Sequence, residues 1–118
     1  MSRGAVNYHA GLEAERSVAR RYLRAGYTFA AHRFRAGRGE IDLIMRRGAE
    51  VIFIEVKKSV SHAQAASALG PRQIARIFET ATRFVSGEPK GQDTDMRFDV
   101  ALVDAHGEIE VLENALIA

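Results

Sequence analysis

Apolar residues in the first third of the chain recur at helical spacing. In "HAGLEAERSVARRYLRAGY" (residues 9–27), Leu12, Val18, Ala19, Tyr22 and Leu23 share a face, and Gly26 stands where a helix would end in a left-handed residue. The pattern then changes period. "YTFAAHRF" (27–34), "GEIDLIM" (39–45) and "VIFIEVK" (51–57) read as three successive strands. "SVSHAQAASALG" (59–70) is polar and poorly periodic and is expected to be a mobile loop. "PRQIARIFETATRFVSG" restores the helical period, with Pro71 in the first turn and Gly87 beyond the end. "MRFDVALVD" and "EIEVLENAL" supply a fourth and a closing strand around the turn "AHG". The order α-β-β-β-α-β-β predicts an α/β fold with one mixed sheet of about five strands flanked by helices. The helix between strands 3 and 4 is long enough for a parallel crossover.

Within the second and third strands the polar residues are placed unusually. Side chains alternate along a strand. Ile41, Leu43 and Met45 should point one way, and Glu40, Asp42 and Ile44 the other. Ile52, Ile54 and Val56 should share one face, with Val51, Phe53, Glu55 and Lys57 opposite. Gly48-Ala49 suits a two-residue type II′ turn, which pairs Arg47 with Glu50. That register sets Asp42 opposite Glu55 and Glu40 opposite Lys57. Opposed Cβ atoms lie roughly 4.5–5.5 Å apart. Two carboxylates so placed must share a proton, be bridged by a cation or cost stability. A hard divalent cation such as Mg²⁺ would resolve the conflict, because it takes oxygen ligands. An ordinary charged strand face, with Glu40–Lys57 as a cross-strand pair, is the competing reading.

Composition narrows the chemistry. The 118 residues suit one domain over 1–118, and the absence of cysteine excludes disulfides, Cys-ligated zinc and thiol catalysis. No apolar leader or membrane-length run stands in the sequence, so an unexported, cytoplasmic protein with no membrane partner is expected. The net charge of +2 and pI near 9.3 permit a nucleic-acid partner without requiring one. Arg16, Arg20, Arg21 and Arg24 stud the first helix, and Arg33, Arg35, Arg38, Arg46 and Arg47 crowd the acidic strands. Those five are the candidate phosphate contacts, since the guanidinium fork matches phosphate oxygens. The four histidines lack metal-ligand spacing, and "GRG" (37–39) lacks the Lys-Ser/Thr of a phosphate loop.

Asp42 followed by Glu55-Val56-Lys57 resembles the acid…(D/E)-x-K signature of the PD-(D/E)xK nuclease superfamily. "GLEAERSVARRYLRAGY", "GEIDLIMRRG", "VIFIEVK", "RFDVALVD" and "LENAL", in that order, closely resemble the bacterial YraN family of uncharacterised proteins, from about Gly11 to Ala115. That family is similar to Holliday-junction resolvases. The resemblance implies a restriction-endonuclease-like core and Mg²⁺- or Mn²⁺-dependent hydrolysis of DNA phosphodiesters. It makes Asp42 and Glu55 metal ligands, assisted by the Val56 carbonyl, and Lys57 the residue that orients water or stabilises charge. Glu15 matches a helix glutamate that completes the site in resolvase-like proteins, although the residue pattern alone does not separate it from Glu13. Glu40 and Gln73 occupy assisting positions. The tyrosine that some relatives carry four residues after the glutamine is Ile77 here, and the Thr-Arg or Ala-Arg often found after the lysine is Lys58-Ser59. A branched DNA substrate would suit a homodimer. The alternative is a nuclease-like fold that only binds nucleic acid or a protein.

Overall fold

The computed structural model describes residues 3–59, 61 and 69–116, with side chains from residue 11 onward. Most of the loop expected over 59–70 lies outside the described residues. Helix α1 (Arg3–Arg24) leads into strands β1 (Thr28–Ala36), β2 (Gly39–Arg47) and β3 (Glu50–Lys58). Helix α2 (Pro71–Val85) and a short 3₁₀ turn (Gly91–Asp93) follow, then β4 (Met96–Val103) and β5 (Ile109–Leu112). One five-stranded sheet runs β1-β2-β3-β4-β5, with β3 and β4 parallel and every other pair antiparallel. The α-β-β-β-α-β-β order and the crossover through α2 are as the sequence predicts.

Each helix covers one face of the sheet. Ala14, Val18 and Tyr22 of α1 pack on Leu43, Met45, Ile52, Ile54, Ala101 and Val103. Ile77, Ala81 and Val85 of α2 pack on Ile44, Val51, Phe53, Val100 and Leu102. Burial on both faces explains why β3 and β4 carry the unbroken apolar runs "VIFI" and "VALV". The second face of the β2–β3 hairpin is therefore mostly a core face, and the expected polar face shrinks to one end of it.

α1 closes with a Schellman motif. Gly26, at φ 95°, donates to the Leu23 carbonyl, and Tyr27 donates to Tyr22. The Tyr22 and Tyr27 rings meet edge to face at 5.1 Å and supply the apolar contact usual for that motif. At the β2–β3 turn only Gly48 has positive φ (61°), while Ala49 does not, as a type II′ turn requires.

The alternation in β2 corrects one expectation. Ile41 does not side with Leu43 and Met45; it joins Ile44 in the cluster under α2. The strand changes face at Asp42. On the neighbouring strand the register shifts between Phe29 and Ala31, and Arg33 adopts φ 53° between the pairs His32↔Leu43 and Phe34↔Ile41. A non-glycine residue in this region is uncommon, and such irregularities re-aim side chains. Here they fall beside the acidic residues singled out above.

Candidate active site

The β2–β3 ladder runs from Arg47↔Glu50 to Leu43↔Ile54 in the expected register, and there it stops. Beyond it the Val56 N–H donates to Asp42 Oδ2 at 2.8 Å. A carboxylate thus takes the place of a strand partner. Because a strand residue's N–H and C=O point to the same side, the Val56 carbonyl faces the same gap.

Glu55, one residue earlier, is only 4 % exposed. Its pKa is pushed up to about 9, first by burial and then by its hydrogen bond to Asp42 and the charge of Asp42; Lys57 pulls the other way. Glu55 is therefore protonated at neutral pH, and the two carboxyls share that proton.

Helix α2 supplies the next layer. Gln73, in its first turn, donates through Nε2 to Glu55 Oε2 and accepts at Oε1 from Lys57 Nζ at 3.1 Å. Lys57 Nζ lies 3.7 Å from the same Glu55 oxygen. One amide therefore fixes the second acid and the lysine together. Its position follows from the crossover, which brings the start of α2 over the C-terminal end of β3.

Glu15 is buried on α1, but it does not join the acid pair directly. Its carboxylate accepts from Arg33 Nε at 3.0 Å and Nη2 at 3.2 Å and meets His32 Nε2 at 2.5 Å. Its charge still contributes, as the smallest factor, to the raised pKa of Glu55. Among the described residues no three histidine, aspartate or glutamate side chains form a ready-made metal cluster.

Most of the arginines expected to face phosphate are engaged within the protein. Arg33 holds Glu15, and Arg46 grips Glu88 with a closest approach of 2.9 Å. Arg35 pairs with Glu40 at 3.1 Å, and Arg47 reaches the Tyr27 hydroxyl at 3.0 Å and Glu50 at 3.4 Å. Glu40 thus does not pair with Lys57. The Arg35↔Glu40 register of the β1–β2 hairpin gives it a nearer cation, and the ladder toward Lys57 has already ended. Arg38 lines a concavity with Arg72, Gln73 and Arg76.

A second polar cluster lies outside the residues that the sequence singles out. Asp99, fully buried on β4, accepts from the Tyr22 hydroxyl at 2.6 Å, from Arg97 Nε and Nη2 at 2.9 Å, and from the Asn114 N–H at 2.9 Å. Arg97 also bonds the Tyr27 hydroxyl at 2.9 Å. The signal was present in "RFD": Arg97 and Asp99 fall on one face of a strand whose neighbours are apolar.

A family profile described as "Uncharacterised protein family UPF0102" matches residues 14–103. A UPF0102 protein of Cereibacter sphaeroides strain KD131 is 61 % identical over 115 residues, covering 98 % of each chain. One from Roseobacter denitrificans is 56 % identical over 113 residues, 96 % of this chain and 88 % of its own. A more distant relative from Dinoroseobacter shibae is 40 % identical over 113 residues, 96 % and 84 % of the two chains. UPF0102 is the YraN-like family that the motifs resemble, and with the profile running from the middle of α1 to the end of β4, the chain belongs to it.

Proposed function

We propose that the protein is a metal-dependent nuclease of the PD-(D/E)xK type that hydrolyses DNA phosphodiesters. The observation that carries this reading is the Asp42–Glu55 pair: two carboxyls in one gap, sharing a proton, with Lys57 held beside them by Gln73. Lys57 Nζ lies 3.7 Å from Glu55 Oε2, yet burial of Glu55 and the charge of Asp42 outweigh it and the Glu55 pKa stays raised.

The donor set fits a hard cation. Val56 occupies Asp42 Oδ2, and Gln73 and Lys57 occupy Glu55 Oε2, so the other oxygen of each carboxyl is left by these contacts. Asp42, Glu55 and the Val56 carbonyl would hold Mg²⁺ or Mn²⁺, replacing the shared proton. Bound there, the ion would polarise a phosphate oxygen and lower the pKa of a water. Lys57 places a positive charge next to the acids, where it can orient that water or offset charge building on the phosphate. Gln73 keeps the lysine and Glu55 in register. Glu15 tethers Arg33 and His32 to α1 and adds negative charge near the pair. No base-reading motif accompanies the site, so selection is expected to follow DNA shape, branched DNA included.

Cleavage of labelled four-way junction, flap, single-stranded and duplex DNA with Mg²⁺ or Mn²⁺ tests the reading. Cutting by wild type that falls at least ~100-fold in both Asp42→Asn and Lys57→Ala is the expected result. No cutting of any substrate, together with DNA binding that survives both changes, would leave a binding module on a nuclease-like fold.

A further inference from the structure

Beside the acid pair lies a hollow of about 410 Å³, bounded by Arg38, Gly39, Glu40, Arg72, Gln73, Arg76 and Ile77. Its size is in the range of small-ligand sites. Three guanidinium groups ring it. Arg38 comes from the β1–β2 turn, and Arg72 and Arg76 stand one helical turn apart on α2. Glu40, the acid on the rim, is paired with Arg35 at 3.1 Å. Among the described residues Arg38, Arg72 and Arg76 have no carboxylate partner. They differ in this from Arg33, Arg35, Arg46 and Arg47.

The arrangement is unfavourable in the free protein. Like charges at i and i+4 repel. Arg72 also stands in the first turn of a helix that has no acidic residue there, against the sign of the helix dipole. The turn could have held Arg38 away from them, but it does not. Gly39 lies so close to α2 that a Cβ would fall 1.9 Å from Thr80 Oγ1 and 2.9 Å from the Arg76 carbonyl. A bare backbone at this position brings the third arginine to the other two. An anion in the hollow would attract all three guanidinium groups and the helix N-terminus, and so offset these repulsions.

Gln73 ties the hollow to the acids. It lines the concavity and bonds both Glu55 and Lys57. An anionic group seated among the arginines would therefore lie next to the phosphate on which the acids act. We infer that the Arg38–Arg72–Arg76 hollow seats an internal backbone phosphate of the nucleic-acid strand, one neighbouring the bond presented to Asp42 and Glu55. This assignment rests on the nuclease reading for its geometry, but it stands on binding alone for its test.

The experiment is DNA binding by fluorescence anisotropy in EDTA, with single-stranded and duplex oligonucleotides from about 50 to 200 mM salt. Wild type is compared with Arg72→Gln/Arg76→Gln, with Arg38→Gln, and with Arg24→Gln at the exposed end of α1. The double variant should bind roughly tenfold or more weakly, with the slope of log K against log salt reduced by about 2, and Arg38→Gln should reduce it by about 1. Arg24→Gln should match wild type. Thermal midpoints of the groove variants should be unchanged or higher, because repulsion is relieved. Groove variants that bind with wild-type affinity and slope overturn the inference. A preference of more than about tenfold for a 5′-phosphorylated end over a 5′-hydroxyl end overturns the internal position. Cleavage by wild type is scored separately. Binding lost in the groove variants with no cutting sustains the hollow and removes the nuclease reading. Cutting with unaltered binding in the variants does the reverse.

Discussion

Asp42 and Glu55 stand on adjacent strands with one proton between them at neutral pH, and the need to keep that proton makes the fold less stable as the pH rises. Unfolded, Glu55 ionises near the ordinary 4.5; folded, it keeps its proton up to about 9. Between those values the unfolded chain binds fewer protons than the folded one, so stability falls as pH rises. The contribution is complete below about 4.5 and is lost progressively toward about 9. Asp42→Asn removes the opposing charge, while its amide can still accept from Val56 and can donate to Glu55. The variant should be more stable than wild type by ~1–2 kcal/mol at pH 8, with the gain shrinking toward pH 5. Urea unfolding in EDTA at the two pH values measures this. A variant less stable than wild type at pH 8 would mean that the pair contributes to folding. Stability gained while activity is lost is the trade expected of a functional site.

At the scale of elements, the site depends on two departures from regular structure, and both involve close approaches. The sequence predicts the α-β-β-β-α-β-β order because each segment keeps one period, and the II′ turn at Gly48 fixes the register from Arg47↔Glu50 to Leu43↔Ile54, beyond which Asp42 bonds the Val56 N–H instead. Alternation alone then misplaces Ile41, since it assumes a flat strand, whereas β2 changes face at Asp42 beside the irregular β1. Nor does it anticipate a special role for Gly39, which the sequence reads as the first residue of a strand. Gly39 has no positive φ, so its need for glycine is steric. Gly39→Ala should cost ~1–3 kcal/mol by overpacking against Thr80. Adding Thr80→Ala should restore only part of this, because the Arg76 carbonyl remains 2.9 Å from the new Cβ. Chemical denaturation of the single and double variants decides; a Gly39→Ala protein as stable as wild type would show that β1–β2 and α2 separate freely.

Across the whole molecule, what holds α1 to the sheet is a polar knot as well as an apolar face. Tyr22, Tyr27, Arg97, Asp99 and the Asn114 N–H come from four parts of the chain, with Tyr22 and Asp99 77 positions apart. Separations of this kind explain why "RFD" marks Arg97 and Asp99 in the sequence but not their partners, and why the sequence does not show Glu15, Glu88 and Tyr27 engaging Arg33, Arg46 and Arg47. Burial and the Asp99 carboxylate raise the Tyr22 pKa, so its hydroxyl stays a donor at any ordinary pH. Asp99 accepts from Tyr22, Arg97 and the Asn114 N–H, and Tyr27 joins through Arg97. Asp99→Asn would leave the Arg97 guanidinium, only 9 % exposed, without its charge partner. Breaking a buried pair in this way costs roughly 3–5 kcal/mol. Tyr22→Phe deletes one hydrogen bond to a charged acceptor and keeps the edge-to-face ring contact with Tyr27, a loss of about 1.5–3 kcal/mol. Urea denaturation should therefore rank wild type above Tyr22→Phe and Tyr22→Phe above Asp99→Asn. Because α1 also carries Glu15, hydrogen exchange in Tyr22→Phe should quicken along α1 while the amides of β3 stay protected. If Asp99→Asn proves no less stable than Tyr22→Phe, then Arg97 has found another partner, and Glu113, 4.0 Å away, is the nearest carboxylate able to take that role.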